Sequence, residues 1–162
     1  MQHTISVLVV NQFGVLSRIS GLFSGRGFNI ESLNVAETNE SGISRMTIIT
    51  RGDDKKIEQI TKQLNKLVDV IKVIDLTEEH FVDRELILVK MNAEARVREE
   101  ILRIVDIFRA KVIDVNHDNY TVEITGDEGK IKGFLDLLKP LGIKEIVRSG
   151  RIAISRGTKS IN

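Results

Sequence analysis

The first half of the chain alternates between two hydrophobic periods. Short apolar or alternating runs predict four strands, because successive side chains of a strand point to opposite faces of a sheet. These runs cover residues 4–10, 28–38, 44–51 and 70–76. Apolar residues spaced three and four apart predict one helix after the first run and another after the third. The helical positions are Val15, Leu16, Ile19, Leu22 and Phe23, followed by Ile57, Ile60, Leu64 and Leu67.

Local signals mark the ends of these elements. Gly25 and Gly27 are expected to stop the first helix, since glycine readily takes the left-handed conformation at a helix C-terminus. The ESG sequence at 40–42 predicts a turn between the second and third strands. Either Asp53 or Asp54 is expected to cap the second helix. The predicted order is therefore β-α-β-β-α-β.

The same order returns in the second half. A polar stretch breaks the pattern, and residues 78–83 are predicted to link a first domain at 1–77 to a second at 84–162. Strands are predicted at ELILVKM, KVIDVNH, YTVEITG and IKEIVRSGRIAIS. The helical positions are Val97, Ile101, Ile104, Val105 and Phe108, followed by Ile131, Phe134, Leu135 and Leu138. Pro140 and Gly142 are expected to end the last helix.

Two copies of one order predict an α+β protein with two consecutive ferredoxin-like βαββαβ domains. Each copy should place two helices on one face of a four-stranded antiparallel sheet. The other face of each sheet must be covered, and the edge strands must be protected. A homodimer would meet both needs.

Composition narrows the class of protein. A hydrophobic content of 41% with 29% charged residues is typical of a globular protein. The net charge of +1 gives no reason to expect nucleic acid or an anionic membrane as a partner. The chain has no cysteine, which excludes disulfides and thiolate sites, and its start lacks the features of a signal peptide. We expect a cytoplasmic protein.

The segment NQFGVLSRISGLFSGRGFNI at 11–30 is the most informative stretch. A strand that leads through a glycine into a helix can hold an anion, because the first-turn N–H groups are free and the helix dipole is positive there. Gly14 lets a ligand approach the backbone closely. Asn11 and Asn29 add amides that can bind both ends of a zwitterion. The same Asn-x-x-Gly pattern is also a common turn before a helix, and the pattern alone leaves both interpretations open.

Other motifs offer no catalytic chemistry. The GRG sequence at 25–27 lacks the third glycine of a dinucleotide-binding loop and follows a helix instead of opening one. His3, His80 and His117 are scattered, so no metal site is predicted. The aromatic content of 4% argues against an RNA-binding sheet, which needs stacking side chains. The second copy has AEARVREE after Asn92, without the glycine, so only the first copy is expected to bind a ligand in this loop.

Several long motifs closely resemble the small regulatory subunit family of acetolactate synthase (acetohydroxyacid synthase). They are NQFGVLSRISGLFSGRGFNIESLNVAET, SRMTI, KQLNKLVDVIKV, RELILVKM, IFRAKVIDV and RSGRIAISRG, and together they span nearly the whole chain. The resemblance implies an N-terminal ACT domain, which is a small amino-acid-binding regulatory module, followed by an ACT-like domain. It also implies a non-catalytic chain.

In this family, the resemblance implies, the small subunit activates a catalytic large subunit and confers feedback inhibition by valine in branched-chain amino-acid biosynthesis. Thiamine diphosphate, magnesium and FAD are then expected on the catalytic subunit, with no cofactor on this chain. The valine site is expected at the interface of two ACT domains. One chain would contribute Asn11, Gly14, Val15 and Leu16, and its partner would contribute Asn29 and Ile30.

A different class of function stays open on the residues. A free-standing ACT-domain sensor could control another enzyme or transcription through the same ligand site. No helix-turn-helix segment is visible and the chain is nearly neutral, which argues against a DNA partner. Activation of a catalytic subunit would separate the two functions.

Overall fold

The computed structural model describes residues 1–161. The chain divides into two compact units. Unit 1 contains residues 1–82 and the described residues from Arg151 onward, and unit 2 contains residues 83–150. Within the described part of the chain, none of the helices has the length and apolar content needed to cross a lipid bilayer.

Unit 1 has the predicted βαββαβ order. Its elements are β1 (Gln2–Val10), α1 (Val15–Gly25), β2 (Ile30–Glu37), β3 (Ile43–Arg51), α2 (Asp54–Leu64) and β4 (Val70–Asp75). The four strands form an antiparallel sheet in the order β2-β3-β1-β4, so β1 is central and β2 lies at an edge. Asp53 caps α2, because its side chain accepts a hydrogen bond from the Lys56 N–H.

The core of unit 1 lies between the sheet and its two helices. Ile5, Val7 and Val9 of β1 face the helices and are buried with the apolar faces of α1 and α2. The helical residues of this core are Val15, Ile19, Phe23, Ile57, Ile60 and Leu64. The strand residues of this core alternate along β1 and along β3, where Met46 and Ile48 lie opposite Val7 and Ile5, and the helical residues follow the spacing that the sequence predicts for a buried face.

The opposite face of this sheet is also covered, which buries Thr4, Ser6 and Leu8 of β1 as well. The cover is the C-terminal strap, residues 151–161, which includes strand β9 (Ile152–Ser155). Arg45 joins the two: its Nε donates to Ser6 Oγ at 3.0 Å, and its Nη2 donates to the Ala153 carbonyl oxygen at 3.2 Å. Burial lowers the pKa of the Arg45 guanidinium.

Unit 2 repeats the order. It contains most of β5 (Phe81–Asn92), then α3 (Ala95–Ile107), β6 (Lys111–Val115), β7 (Asn119–Gly126), α4 (Glu128–Gly142) and β8 (Ile143–Arg148). These strands are ordered β6-β7-β5-β8. The core includes Ile87, Val89 and Met91 of β5 and an edge-on contact of Phe108 with Phe134, whose ring centroids are 5.4 Å apart. The α+β prediction of two consecutive ferredoxin-like βαββαβ units is confirmed.

The structure differs from the predicted boundaries at the end of the chain. The sequence pattern gave 84–162 to the second domain, but residues from Arg151 onward belong to unit 1. The single last strand is two strands, β8 and β9, separated by a turn at which Gly150 has a φ of 82°. The predicted linker at 78–83 is partly strand, since β5 begins at Phe81.

Two helix ends also differ from the prediction. Pro140 does not end α4; it lies inside that helix, which continues to Gly142, where φ is 100°. The proline ring removes the N–H that would bond to the carbonyl of Asp136, and the packing of Leu138 and Leu141 holds the last turn. Leu67 and Phe108 lie beyond the ends of their helices and still pack against the cores.

Candidate functional site

The loop between β1 and α1 presents unpaired backbone donors. Gly14 is the N-cap of α1 in the left-handed conformation, with a φ of 84°, and no side chain caps the helix. The Val15 N–H donates to the Gln12 carbonyl at 3.4 Å, and the Arg18 N–H donates to the Gly14 carbonyl at 3.0 Å. Within residues 1–161, the N–H groups of Leu16 and Ser17 have no acceptor. Such donors at a helix N-terminus favour an anion.

The loop is fixed to the sheet on its other side. The Asn11 N–H donates to the Gly42 carbonyl at 2.7 Å in the turn between β2 and β3. The Gln12 N–H turns back to the Val10 carbonyl at 3.0 Å. The Asn11 side chain is exposed, so its amide is available to a ligand. This backbone is thus compatible both with a simple turn before the helix and with a loop that binds a ligand.

The side chains of the loop divide into buried and exposed. Val15, a predicted ligand residue, is only 4% exposed and packs in the core, so it can offer a ligand its backbone alone. Leu16 is 43% exposed and presents apolar surface beside the open N–H groups. Phe13 was not among the predicted site residues, yet it is fully exposed on the same loop. An exposed aromatic ring of this kind is typical of a surface that a ligand or another chain covers.

The second group of predicted residues lies at the start of β2. Asn29 is exposed, and its carbonyl oxygen accepts a hydrogen bond from the buried Thr50 Oγ1 at 2.7 Å. This bond fixes the backbone of Asn29 while its side-chain amide faces outward. Ile30 is half-buried and begins the strand opposite Thr50.

One chain does not bring the two groups together. Val10, next to the loop, pairs with Ile43 at one end of β3, whereas Ile30 pairs with Thr50 at the other end. Those two positions of β3 are seven residues apart (50 − 43), which is about 23 Å along a strand. A single amino acid cannot span that distance. A site that uses Asn11 and Asn29 together therefore needs two chains.

The positively charged side chain of Arg18 lies over the loop, and the sequence analysis did not predict this contact. The Arg18 guanidinium reaches back from the second turn of α1, and its Nη1 is 3.1 Å from the position that a Cβ on Gly14 would occupy. Asp69 holds the group, with its Oδ2 at 2.8 Å from Nε and 2.5 Å from Nη2. The contact was hidden in the sequence because Asp69 lies 51 residues farther along the chain.

The equivalent loop in unit 2 is closed. Arg98, the fourth residue of α3 as Arg18 is the fourth of α1, donates from Nε to the Ala93 carbonyl and from Nη2 to the His117 carbonyl, both at 2.6 Å. The Ala93 N–H is bonded to the Asp118 carbonyl at 2.8 Å. No glycine follows Asn92 in the sequence, and Glu94 is the N-cap of α3, without a side-chain cap hydrogen bond.

The histidines do not form a metal centre. His3 is buried, with Nδ1 at 3.2 Å from Asp75 Oδ2 and Nε2 at 3.5 Å from Asp54 Oδ1. These contacts connect β1 to α2 and β4, which the sequence pattern did not reveal. Among residues 1–161, no group of three or more histidine, cysteine, aspartate or glutamate side chains is arranged to hold a metal ion.

Two family models match this chain, one in each half. Residues 5–72 match the family model described as "AHAS small subunit-like ACT domain", and residues 84–157 match the model "Small subunit of acetolactate synthase". The chain is 52% identical over 159 residues to a probable acetolactate synthase small subunit of Archaeoglobus fulgidus, covering 98% of this chain and 99% of that one. It is 54% identical over 156 residues to the acetolactate synthase small subunit of Aquifex aeolicus, covering 96% and 81%.

A solved structure shows the same likeness over the full length. The crystal structure of the acetolactate synthase small subunit from Thermotoga maritima superposes with a TM-score of 0.88 at 42% identity. The match covers 98% of this chain and 99% of that one.

Proposed function

Because the chain belongs to the acetolactate synthase small-subunit family, we propose that it is the regulatory subunit that activates the catalytic subunit and makes it sensitive to valine. The observation that carries the proposal is the division of the candidate site. Open N–H groups lie at one end of the unit 1 sheet and Asn29 lies at the other. This arrangement suits a ligand held between two copies of the unit.

The edge strand β2 provides a way to assemble such a site. β2 pairs only with β3 within the described residues, and Val35 leaves 42% of its surface exposed. Antiparallel pairing of β2 with the β2 of a second chain would place the start of one strand beside the end of the other. Asn29 and Ile30 of one chain would then lie at the same end of the joined sheet as Asn11 and Gly14 of its partner.

The residues suit a small branched amino acid. The N–H groups of Leu16 and Ser17 are free to bind a carboxylate at the positive end of α1. The side-chain amides of Asn11 and Asn29 are exposed and can accept from an ammonium group. Leu16 and Ile30 supply aliphatic contacts of a size that fits an isopropyl group. Valine combines all three features.

Regulation follows by linkage. A ligand that bridges two chains favours the arrangement of the dimer in which the bridge is complete, and the catalytic subunit is sensitive to that arrangement. A tenfold loss of activity needs only about 1.4 kcal/mol of coupling, well below the roughly 4–8 kcal/mol of millimolar to micromolar binding. In this proposal, thiamine diphosphate, magnesium and FAD belong to the catalytic subunit, and this chain acts on that subunit's conformation.

Reconstitution tests the proposal. The full chain is added in increasing amounts to the purified catalytic subunit, and acetolactate formation is measured with and without valine, leucine, isoleucine or glutamate. We expect activity to rise to a plateau with added chain and to fall on addition of valine but not of glutamate. Asn11→Ala should weaken the valine response, whereas Asn92→Ala, at the equivalent strand end of unit 2, should not.

Two outcomes would contradict parts of the proposal in different ways. If added chain leaves the catalytic activity unchanged but calorimetry detects valine binding, the chain is a sensor for another target. If activity rises but no branched amino acid lowers it, the chain activates without feedback.

A further inference from the structure

One nitrogen of the Arg18 guanidinium, Nη1, has no hydrogen-bond acceptor in the described residues. Its Nε and Nη2 both contact the same oxygen of Asp69, which fixes the plane of the guanidinium. Within residues 1–161, Nη1 has no acceptor, and it lies over Gly14. The side chain is half exposed, so a ligand can reach Nη1 from solvent. A fixed guanidinium with free N–H groups is a strong donor for a carboxylate.

The arginine at the equivalent position of the second unit is bonded differently. Arg98 directs its guanidinium inward, onto the carbonyl oxygens of Ala93 and His117, and thereby closes its loop. Arg18 makes no such bond to its own loop. Asp69 instead holds it outside the loop, and the N–H groups of Leu16 and Ser17 stay open below it. The two arginines occupy equivalent helix positions and have opposite uses.

We propose that Arg18 Nη1 binds the carboxylate of the amino-acid effector and makes the site selective for a free amino acid over its carboxamide. This inference rests on the proposed function, because it concerns the same site. Asp69 acts as a positioning residue that holds Nη1 over the loop. The effector carboxylate completes the hydrogen bonds of the guanidinium on one side and of the loop N–H groups on the other.

The proposal also explains why the loop needs a glycine. Any Cβ at position 14 would lie 3.1 Å from Nη1 and would force the guanidinium to shift by a few tenths of an ångström. Because Gly14 has no side chain, the Arg18 guanidinium and the backbone N–H groups of the loop can face the same small space. This requirement is separate from the left-handed backbone of Gly14.

The test uses the full chain reconstituted with the catalytic subunit, and each variant is normalised to its own uninhibited activity. Inhibition constants are measured for valine and for valinamide, which lacks the carboxylate, with wild type, Arg18→Gln, Arg18→Lys and Arg103→Gln. Arg103 is the matched control, because it is an exposed arginine on α3 of unit 2 that pairs with a carboxylate, Glu100, and its substitution removes the same charge. A cooperative unfolding transition in urea checks that each variant is folded.

We expect Arg18→Gln to weaken valine inhibition by about tenfold or more, the range for a lost hydrogen bond to a charged group. Arg18→Lys should retain part of the response, Arg103→Gln should match wild type, and the valinamide constant should not change. A valine constant for Arg18→Gln within about twofold of wild type, or equal losses for valine and valinamide, would overturn the inference and leave the proposed function standing. Failure of wild type to respond to valine would overturn both.

Discussion

Arg18 Nη1 lies 3.1 Å from the point where a Cβ on Gly14 would sit, so position 14 is restricted by both its backbone and its neighbour. The backbone φ of 84° is one that L side chains rarely adopt. Any substitution must therefore strain the loop and displace the guanidinium.

Gly14→Ala should destabilise the chain by about 1–2 kcal/mol, the cost of a left-handed non-glycine residue. Gly14→Asp should lose the valine response as well, because its carboxylate would occupy the anion site and pair with Arg18. Urea unfolding and valine titration of the reconstituted enzyme measure the two effects. Gly21→Ala is the control: nothing lies within 4 Å of its added Cβ and it sits within α1, so it should be neutral or stabilising by about 0.5–1 kcal/mol. A wild-type valine response in Gly14→Asp would place the ligand elsewhere.

Most of the fold could be predicted from the sequence because the cores follow simple periods. Ile5, Val7 and Val9 alternate along one strand, and Ile57, Ile60 and Leu64 repeat along one helix, and all six are buried. The predicted order of elements is confirmed in both halves. These patterns depend only on residues within one element, and such local signals are the ones that a sequence displays.

The parts that could not be predicted depend on distant contacts. The alternation of IAIS at 152–155 predicts a strand, but it does not show that the strand covers the sheet of unit 1. The position of Arg18 depends on Asp69, and the burial of Val15 depends on how α1 packs on the sheet. The separation of Asn11 from Asn29 depends on the strand register. The predicted ligand role of these residues stays a prediction.

The C-terminal strap should contribute to the stability of unit 1. Ala153 is 6% exposed over the sheet face, whereas its neighbour Ile154 is 55% exposed. Ala153→Leu adds volume in a packed space and should lower the free energy of unfolding by about 1–3 kcal/mol. Ile154→Leu, on the same strand, should change it by less than about 0.5 kcal/mol. Equal effects of the two substitutions in urea unfolding would show that the strap does not pack on the sheet as described.

The pair of Glu85 and Arg148 should stabilise unit 2. Arg148 donates from Nε at 2.9 Å and from Nη2 at 2.6 Å to the two oxygens of the buried Glu85, and this hydrogen bonding raises the pKa of Arg148. Arg148→Met leaves the Glu85 carboxylate without its partner and should lower the free energy of unfolding by about 1–3 kcal/mol, with the half-exposed position of the arginine favouring the lower end. The double variant Glu85→Leu with Arg148→Met should lower the free energy of unfolding by less than Arg148→Met alone. A larger loss in the double variant, measured by urea unfolding, would contradict this account.

Phe13 should stabilise the proposed dimer. Its ring is fully exposed in the single chain, on the loop that we place at the interface. Burying such a side chain contributes about 1.5–3 kcal/mol, so Phe13→Ser should raise the dimer dissociation constant by roughly 10- to 100-fold. Val68→Ser is the control, because Val68 is 97% exposed and lies just before β4, at the opposite edge of the sheet from β2. Sedimentation equilibrium measures both, and a smaller effect at Phe13 than at Val68 would argue for a different interface.

The central claim is that each effector site takes Asn11 from one chain and Asn29 from another, because within one chain the strand ends next to them pair with positions about 23 Å apart along β3. The most direct measurement mixes two variants. Chains with Asn11→Ala and chains with Asn29→Ala are each reconstituted with the catalytic subunit and measured alone. In a second preparation the two isolated chains are unfolded, mixed and refolded together, and the mixture is then reconstituted with the catalytic subunit. We expect each variant alone to have lost high-affinity valine inhibition and the mixture to regain it in part, because every mixed dimer contains one intact site. If the mixture responds no better than the separate variants, the site does not combine Asn11 and Asn29 across the dimer.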